Sequence, residues 1–227
     1  VNHIDLNRIA TSYRPIHLNV PDHASFQNEH EPHAFNGLVQ QTLKCANFKD
    51  WKNRMTHLQI SERDLSNPPP TPRYLEIGTY RGCSLVQVFA MCPGMELHTL
   101  NILPEQARDK TIELLPKEEI GLAARQQGIA FTQHYGDSKE FDFSELGEFD
   151  VIFIDGCHEP SYVKYDAVTG RNLLSPGGVL IFHDYHDRNE IGRGVMKMLD
   201  YLNSGALFDG QLQHIEGTSL VYWRKPL

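Results

Sequence analysis

The apolar positions of this chain change their rhythm twice. Residues 1–33 show no period; they are polar and broken by Pro15, Pro21 and Pro32. From Ala34 the apolar residues Phe35, Leu38, Val39, Leu43, Ala46, Phe48, Trp51, Met55 and Leu58 recur at three- and four-residue steps. That spacing predicts one helix or two with an apolar stripe. Ser61 to Pro72, with Pro68-Pro69-Pro70, reads as a stiff linker. Thereafter strand and helix signals alternate. Strands are expected at Arg73–Ile77, Glu96–Leu100, Ile129–His134, Val151–Asp155 and Val179–His183. Helices are expected at Ser84–Met91, Glu105–Leu115, Glu118–Gln127 and Tyr162–Leu174. Runs such as Val151-Ile152-Phe153-Ile154 suit strands covered on both faces. The alternation predicts an α/β fold with a parallel, doubly wound sheet. In the tail, Gly192–Leu202 reads as a helix, and Gln211–Ile215 with Ser219–Arg224 as a closing hairpin.

Composition narrows the partners. The chain has 227 residues, 29 acidic against 21 Lys and Arg, and a formal charge of -8. A bulk electrostatic hold on nucleic acid or an anionic membrane is therefore not expected. Uninterrupted apolar stretches run to four or five residues, as at Val179 to Phe182, far short of the roughly 20 that span a bilayer. The opening residues lack a basic start followed by an apolar block. Cys45, Cys83, Cys92 and Cys157 form no C-x-x-C pair, so no zinc knuckle or thioredoxin-like site is indicated. A cytoplasmic protein is the expectation. Twelve histidines are an excess, but His3, His17, His23, His30 and His33 have no zinc-ligand spacing.

The chemistry concentrates at strand ends. Tyr74-Leu75-Glu76-Ile77-Gly78-Thr79-Tyr80-Arg81-Gly82 is a strand, a glycine turn and a helix start. Such a turn lets a ligand approach the backbone, and the helix offers free N–H groups. In an open α/β sheet the ligand crevice lies at the carboxyl ends of the strands. The spacing is not the dinucleotide fingerprint G-x-G-x-x-G. Later, Phe153-Ile154-Asp155-Gly156-Cys157-His158 ends a buried run in an acid. Twenty-nine residues on, Val179-Leu180-Ile181-Phe182-His183-Asp184 repeats the arrangement after the Pro176-Gly177-Gly178 turn. Two neighbouring parallel strands ending in acids bring two carboxylates to one point, the oxygen-rich setting of a Mg²⁺-type site.

Glu76-x-Gly78-x-x-x-Gly82 resembles the first motif of class I S-adenosylmethionine-dependent methyltransferases. The Asp155 and Asp184 segments resemble the metal-dependent small-molecule O-methyltransferases of that class, such as the macrocin and catechol types. The resemblance covers about residues 73–185, half the chain. It implies a Rossmann-like seven-stranded sheet with helices on both faces and an antiparallel last strand, preceded here by a helical N-terminal arm. Domains are then expected at 1–72, as a lid or homo-oligomer contact, and at 73–227. It also implies S-adenosylmethionine and a divalent cation as cofactors. Glu76, Gly78, Thr79, Tyr80 and Gly82 match the cofactor's amino-acid end. Asn101 stands where an acid takes the ribose hydroxyls, or caps a turn. Asp137 and Ser138 match the adenine end, or Asp137 is an N-cap. Asp155 matches a metal ligand beside the cofactor. Asp184 matches a ligand, and His183 stands where a second acid is common, as ligand or packing residue. His158 is the candidate base for the acceptor's proton, or orients its loop. The implied reaction is methyl transfer to a hydroxyl of a sugar, phenol or secondary metabolite. A methyltransferase fold with another reaction or a structural cofactor is the alternative.

Overall fold

A computed structural model describes residues 2–4, 34, 35, 39, 71–107, 114–208 and 210–227. The linker before Thr71, most of the 34–58 stripe, residues 108–113 of the helix expected at Glu105–Leu115, and His17, His23, His30 and His33 lie outside the described residues.

The strands are β1 (Asn2–Ile4), β2 (Arg73–Ile77), β3 (Glu96–Asn101), β4 (Thr132–Tyr135), β5 (Phe149–Ile154), β6 (Leu174–Phe182), β7 (Gln213–Ile215) and β8 (Val221–Arg224). The helices are α1 (Cys83–Met91), α2 (Leu122–Gln126), α3 (Pro160–Leu173) and α4 (Glu190–Ser204). One sheet runs in the order β1-β7-β8-β6-β5-β2-β3-β4. From β4 to β6 neighbours are parallel; β8 is antiparallel to both β6 and β7. Seven strands thus follow the expected methyltransferase pattern. The eighth, β1, comes from a stretch read as aperiodic and pairs in parallel with β7 at the sheet edge.

Period-two alternation builds two cores. Val151, Phe153, Val179 and Ile181 face one side, where α1, α2 and Phe35 pack; the Phe35 and Phe153 rings lie 4.9 Å apart. Phe35 and Val39, both expected on an apolar stripe, are fully buried there. Ile152, Ile154, Leu180 and Phe182 face the other side with residues of α3 and α4. Sheet burial on both faces explains why β5 and β6 read as continuous apolar runs. β6 begins earlier than expected, and its pairing with β5 shifts between Phe149 and Val151. α3 starts with Pro160, whose missing N–H costs nothing at that position. α4 is capped by Asn189, whose Oδ1 accepts from Gly192 N at 2.8 Å.

Candidate active site

The parallel strands end level with one another. Beyond the ladder, Gly78 N donates to Leu100 O, Gly136 N to Asn101 O, Asp155 N to Ile77 O and His183 N to Ile154 O, at 2.9–3.1 Å. Just past these ends lies a cleft of about 890 Å³. Gly78, Tyr80, Asn101, Asp137 and Ser138 line one end of it, and Asp155, His158, His183 and Asp184 the other.

The glycine turn is shaped by backbone needs. Gly78 has φ 106, and a Cβ on it would sit 2.0 Å from Asp155 O. Only glycine permits that approach. Tyr80 is left-handed at φ 44, and Gly82 opens α1 at φ 79. Glu76 is fully buried and accepts from Ser84 Oγ of α1; its strand position turns it to the α1 face, and it is not among the residues lining the cleft. Burial pushes its carboxyl well above the usual carboxylate range, although the Ser84 bond opposes this. Thr79 is also turned into the fold. Its hydroxyl shares a hydrogen bond with Thr99 and accepts from Gln133 Nε2 at 3.1 Å. Of the five turn residues expected at the cofactor, Gly78 and Tyr80 thus line the cleft, while Glu76, Thr79 and Gly82 do not.

Asn101 serves the turn itself. Its Oδ1 accepts from Tyr80 N at 3.0 Å and its Nδ2 donates to Ile102 O at 2.8 Å. Asp137 is held on both oxygens: Lys139 N donates to Oδ1 at 3.0 Å and Tyr162 Oη to Oδ2 at 2.7 Å. Tyr162 sits on α3 and was invisible as a site residue because it shares a helical pattern with ordinary positions. One turn further along α3, Asp166 is buried beside Ser138 and under Gly156. Burial raises its carboxyl pKa to about 7.

The acidic end is built from side chains. Asp155, His158 and Asp184 each offer an atom, and these atoms lie within 4.8 Å of one another. His158 Nε2 lies 2.6 Å from Asp184 Oδ2. His183, buried, places Nδ1 3.0 Å from Asp155 Oδ1 and 3.3 Å from Asp184 Oδ2. His186 Nε2 approaches Asp184 Oδ1 at 3.5 Å, its ring against Gly192 of α4. The converging set therefore contains His158, where the sequence expectation named His183. Burial alone would raise the Asp184 pKa, but His158 and His183 outweigh it and hold the carboxyl well below the usual range. Burial opposes charge on His158 too; the Asp184 and Asp155 carboxylates outweigh it and raise the imidazole's pKa. Asp184 itself is left-handed, at φ 60, an uncommon conformation for a side-chain-bearing residue. Glu190, Ile191 and Gly194 of α4 complete this wall, and sequence reasoning did not place them there. Among the described lining residues there is no Lys or Arg.

Residues 75–185 match the family described as "Methyltransferase domain". The match spans just under half of the chain and makes these residues similar to a methyltransferase domain. No curated protein sequence matches the chain. Among solved structures, the O-methyltransferase NovP is similar at TM-score 0.53 and 15% identity, over 83% of this chain and 79% of that one. The SAH-bound methyltransferase PaMTH1 of Podospora anserina gives TM-score 0.48 and 17% identity, over 93% and 100%. MycE, solved with Mg, SAH and mycinamycin VI, gives 0.46 and 16%, over 78% and 54%. NovP's likeness bears on the fold alone, and the domain's sheet order with its antiparallel β8 agrees with it. Among the described residues no helix is long and apolar enough to cross a membrane.

Proposed function

We propose that this methyltransferase domain transfers a methyl group to a hydroxyl of a small molecule, with a divalent cation of the Mg²⁺ type held by Asp155 and Asp184. The observation that carries the reading is the meeting of these two carboxylates and His158 on the wall of a cleft whose other wall is the glycine turn. The donor set fits a hard cation: two acidic oxygens on one side and open cleft on the other. When bound, S-adenosylmethionine supplies an electrophilic methyl, and the cation would lower the pKa of an acceptor hydroxyl.

The chain's own residues do the rest. Gly78 and Tyr80 shape the seat for the donor's amino-acid end. Ile77, Leu100, Leu114 and Leu115 offer apolar wall to its adenosine, with Asp137 and Ser138 at the adenine end. His158 takes the acceptor's proton; its pKa, raised by Asp184, gives it basic character. Holding oxygen and methyl in line at near-attack distance contributes much of the acceleration. A wall with acids and no Lys or Arg among the described residues suits a neutral or cationic acceptor better than a polyanion. Residues 1–72 would act as lid or oligomer contact.

A second reading has one observation in its favour. Both ends of the Asn101 amide are engaged by backbone, so a ribose diol meets no charged partner there. In that case the fold holds the cofactor without methyl transfer. Calorimetric titration with S-adenosylmethionine, with and without Mg²⁺, separates the readings when joined to turnover over a panel of vicinal diols and phenols. Under the main reading, donor binding survives EDTA, while turnover stops and returns with Mg²⁺. Binding without any turnover supports the second reading, and turnover untouched by EDTA removes the cation.

A further inference from the structure

We infer that Tyr162 is a positioning residue for the donor's base: its hydroxyl fixes the Asp137 carboxylate as an acceptor for a 6-aminopurine, so that the cleft refuses the 6-oxo form. The inference rests on the cofactor reading above. Tyr162 Oη donates to Asp137 Oδ2 at 2.7 Å, and Lys139 N donates to Oδ1 at 3.0 Å. A carboxylate has about four acceptor positions, so these two bonds hold both oxygens and leave each a further position. Asp137 is only 7% exposed, yet it and Tyr162 both line the cleft. Acceptor positions this far from water are costly to leave without a donor. On a cleft wall, that donor comes from what binds there.

Tyr162 is itself braced. Lys139 Nζ lies 3.7 Å from the centroid of its ring and donates to Ser161 Oγ at 2.7 Å; Ser161 Oγ donates in turn to Glu159 Oε1 at 3.2 Å. Lys139 therefore holds Asp137 twice, directly through its main-chain N–H and at one remove through the ring it covers. The tyrosine is mounted on α3, whose next residue, Val163, packs in the core. Its placement thus follows a helix seated on the sheet rather than a loop. For a base bound at this end, the fixed carboxylate discriminates. The exocyclic amine of a 6-aminopurine donates to it. The carbonyl of a 6-oxopurine only accepts, and would meet the carboxylate lone pair to lone pair. The N1–H of that base could be reached by turning the carboxylate, and the Tyr162 bond opposes the turn.

The probes are SAH and its 6-oxo analogue, S-inosylhomocysteine, titrated calorimetrically into the full chain in EDTA. Wild type is expected to favour SAH by about 100-fold or more. Tyr162→Phe keeps the ring under Lys139 and removes only the O–H. It should weaken SAH by about tenfold and the analogue by less than about threefold, so the preference shrinks. A preference that stays the same or grows, whatever the two affinities do, leaves Tyr162 a structural residue and overturns the inference. If Tyr162→Phe fails to fold, Lys139→Met decides by the same ratio, since it keeps the main-chain N–H and strips the ring of its brace. There the preference should shrink about threefold, and an unchanged one overturns the inference. Wild type that binds SAH and the analogue alike also overturns it, while the cofactor reading stands. Wild type that binds no SAH defeats that reading, and the inference with it.

Discussion

The two ends of the cleft are made by different means. At the donor end, the polar side chains of the glycine turn mostly point into the protein: Glu76 to Ser84, Thr79 to Thr99, Asn101 to the Tyr80 amide. What remains for a ligand is backbone, apolar wall, Tyr80 and, further along, Asp137 and Ser138. At the acidic end the backbone is only a mount, and the side chains of Asp155, Asp184 and three histidines make the site. The contrast teaches that a strand end can recognise by shape or by charge. Shape tolerates changed side chains but no added Cβ; charge tolerates neither lost acids nor misplaced ones. Gly78 on the Asp155 carbonyl is the contact where the two meet.

Four substitutions test that division, and the largest effect is expected at the charged end. Asp155→Ala should abolish Mn²⁺ binding and cut turnover about a thousandfold or more, since a cation supplies several kcal/mol of charge stabilisation. Its SAH affinity should be spared; turnover near the wild-type level would break the charge assignment. Gly78→Ala should damage both ends at once. The new Cβ meets Asp155 O at 2.0 Å, so unfolding free energy should fall by about 2–4 kcal/mol, with SAH and Mn²⁺ binding weakened together. Loss of one without the other would show the ends to be independent.

Asp166 lies under the seam, and its effect depends on pH. Its folded pKa of about 7 exceeds the unfolded value of about 3.9. The folded state then binds more protons between those values, so stability falls as pH rises from about 4 to about 7 and is flat above. Asp166→Asn removes a cost of up to about 4 kcal/mol at pH 8 and gains little at pH 4. Urea unfolding at both values checks this, and an equal effect at both would place the charge elsewhere. The smallest change is expected from Asn101→Asp. The carboxylate keeps the Tyr80 N bond, loses the donation to Ile102 O, and frees an oxygen for ribose. SAH should bind several-fold tighter, about 1 kcal/mol. Unchanged or weaker binding would leave Asn101 a turn residue only.

The division also explains what the sequence could reveal. Apolar runs announced β5 and β6 because both faces are covered, and the stripe through Phe35 and Val39 announced burial against β5. Asp155, His158 and Asp184 were legible because each ends or follows such a run. Spacing along one strand does not tell which atoms on the next strand meet, so the bridging place of His183 needed coordinates. The inward turn of Glu76 follows from alternation along β2, which also puts Tyr74 on the α1 face, but a motif match conceals it. Asn101 could be seen as a departure; that its amide closes the turn could not. β1 left no trace because three residues at an edge, two of them Asn2 and His3, carry no period. α4 reached the cleft through Glu190 and Ile191, in a first turn that pattern reading assigned to no helix.

That edge strand bears on how the molecule is made. Asn2 pairs with Gln213, almost the whole chain away. β1 leaves the ribosome long before β7 exists, and the loop it closes is about as long as this chain allows, the costliest kind of contact to form early. Until the hairpin of β7 and β8 settles on β6, the sheet keeps an unpaired border open to other chains. A chain cut before Gln211 would therefore strand β1 and uncover β6 together, and we expect its fate to be aggregation rather than a smaller working enzyme.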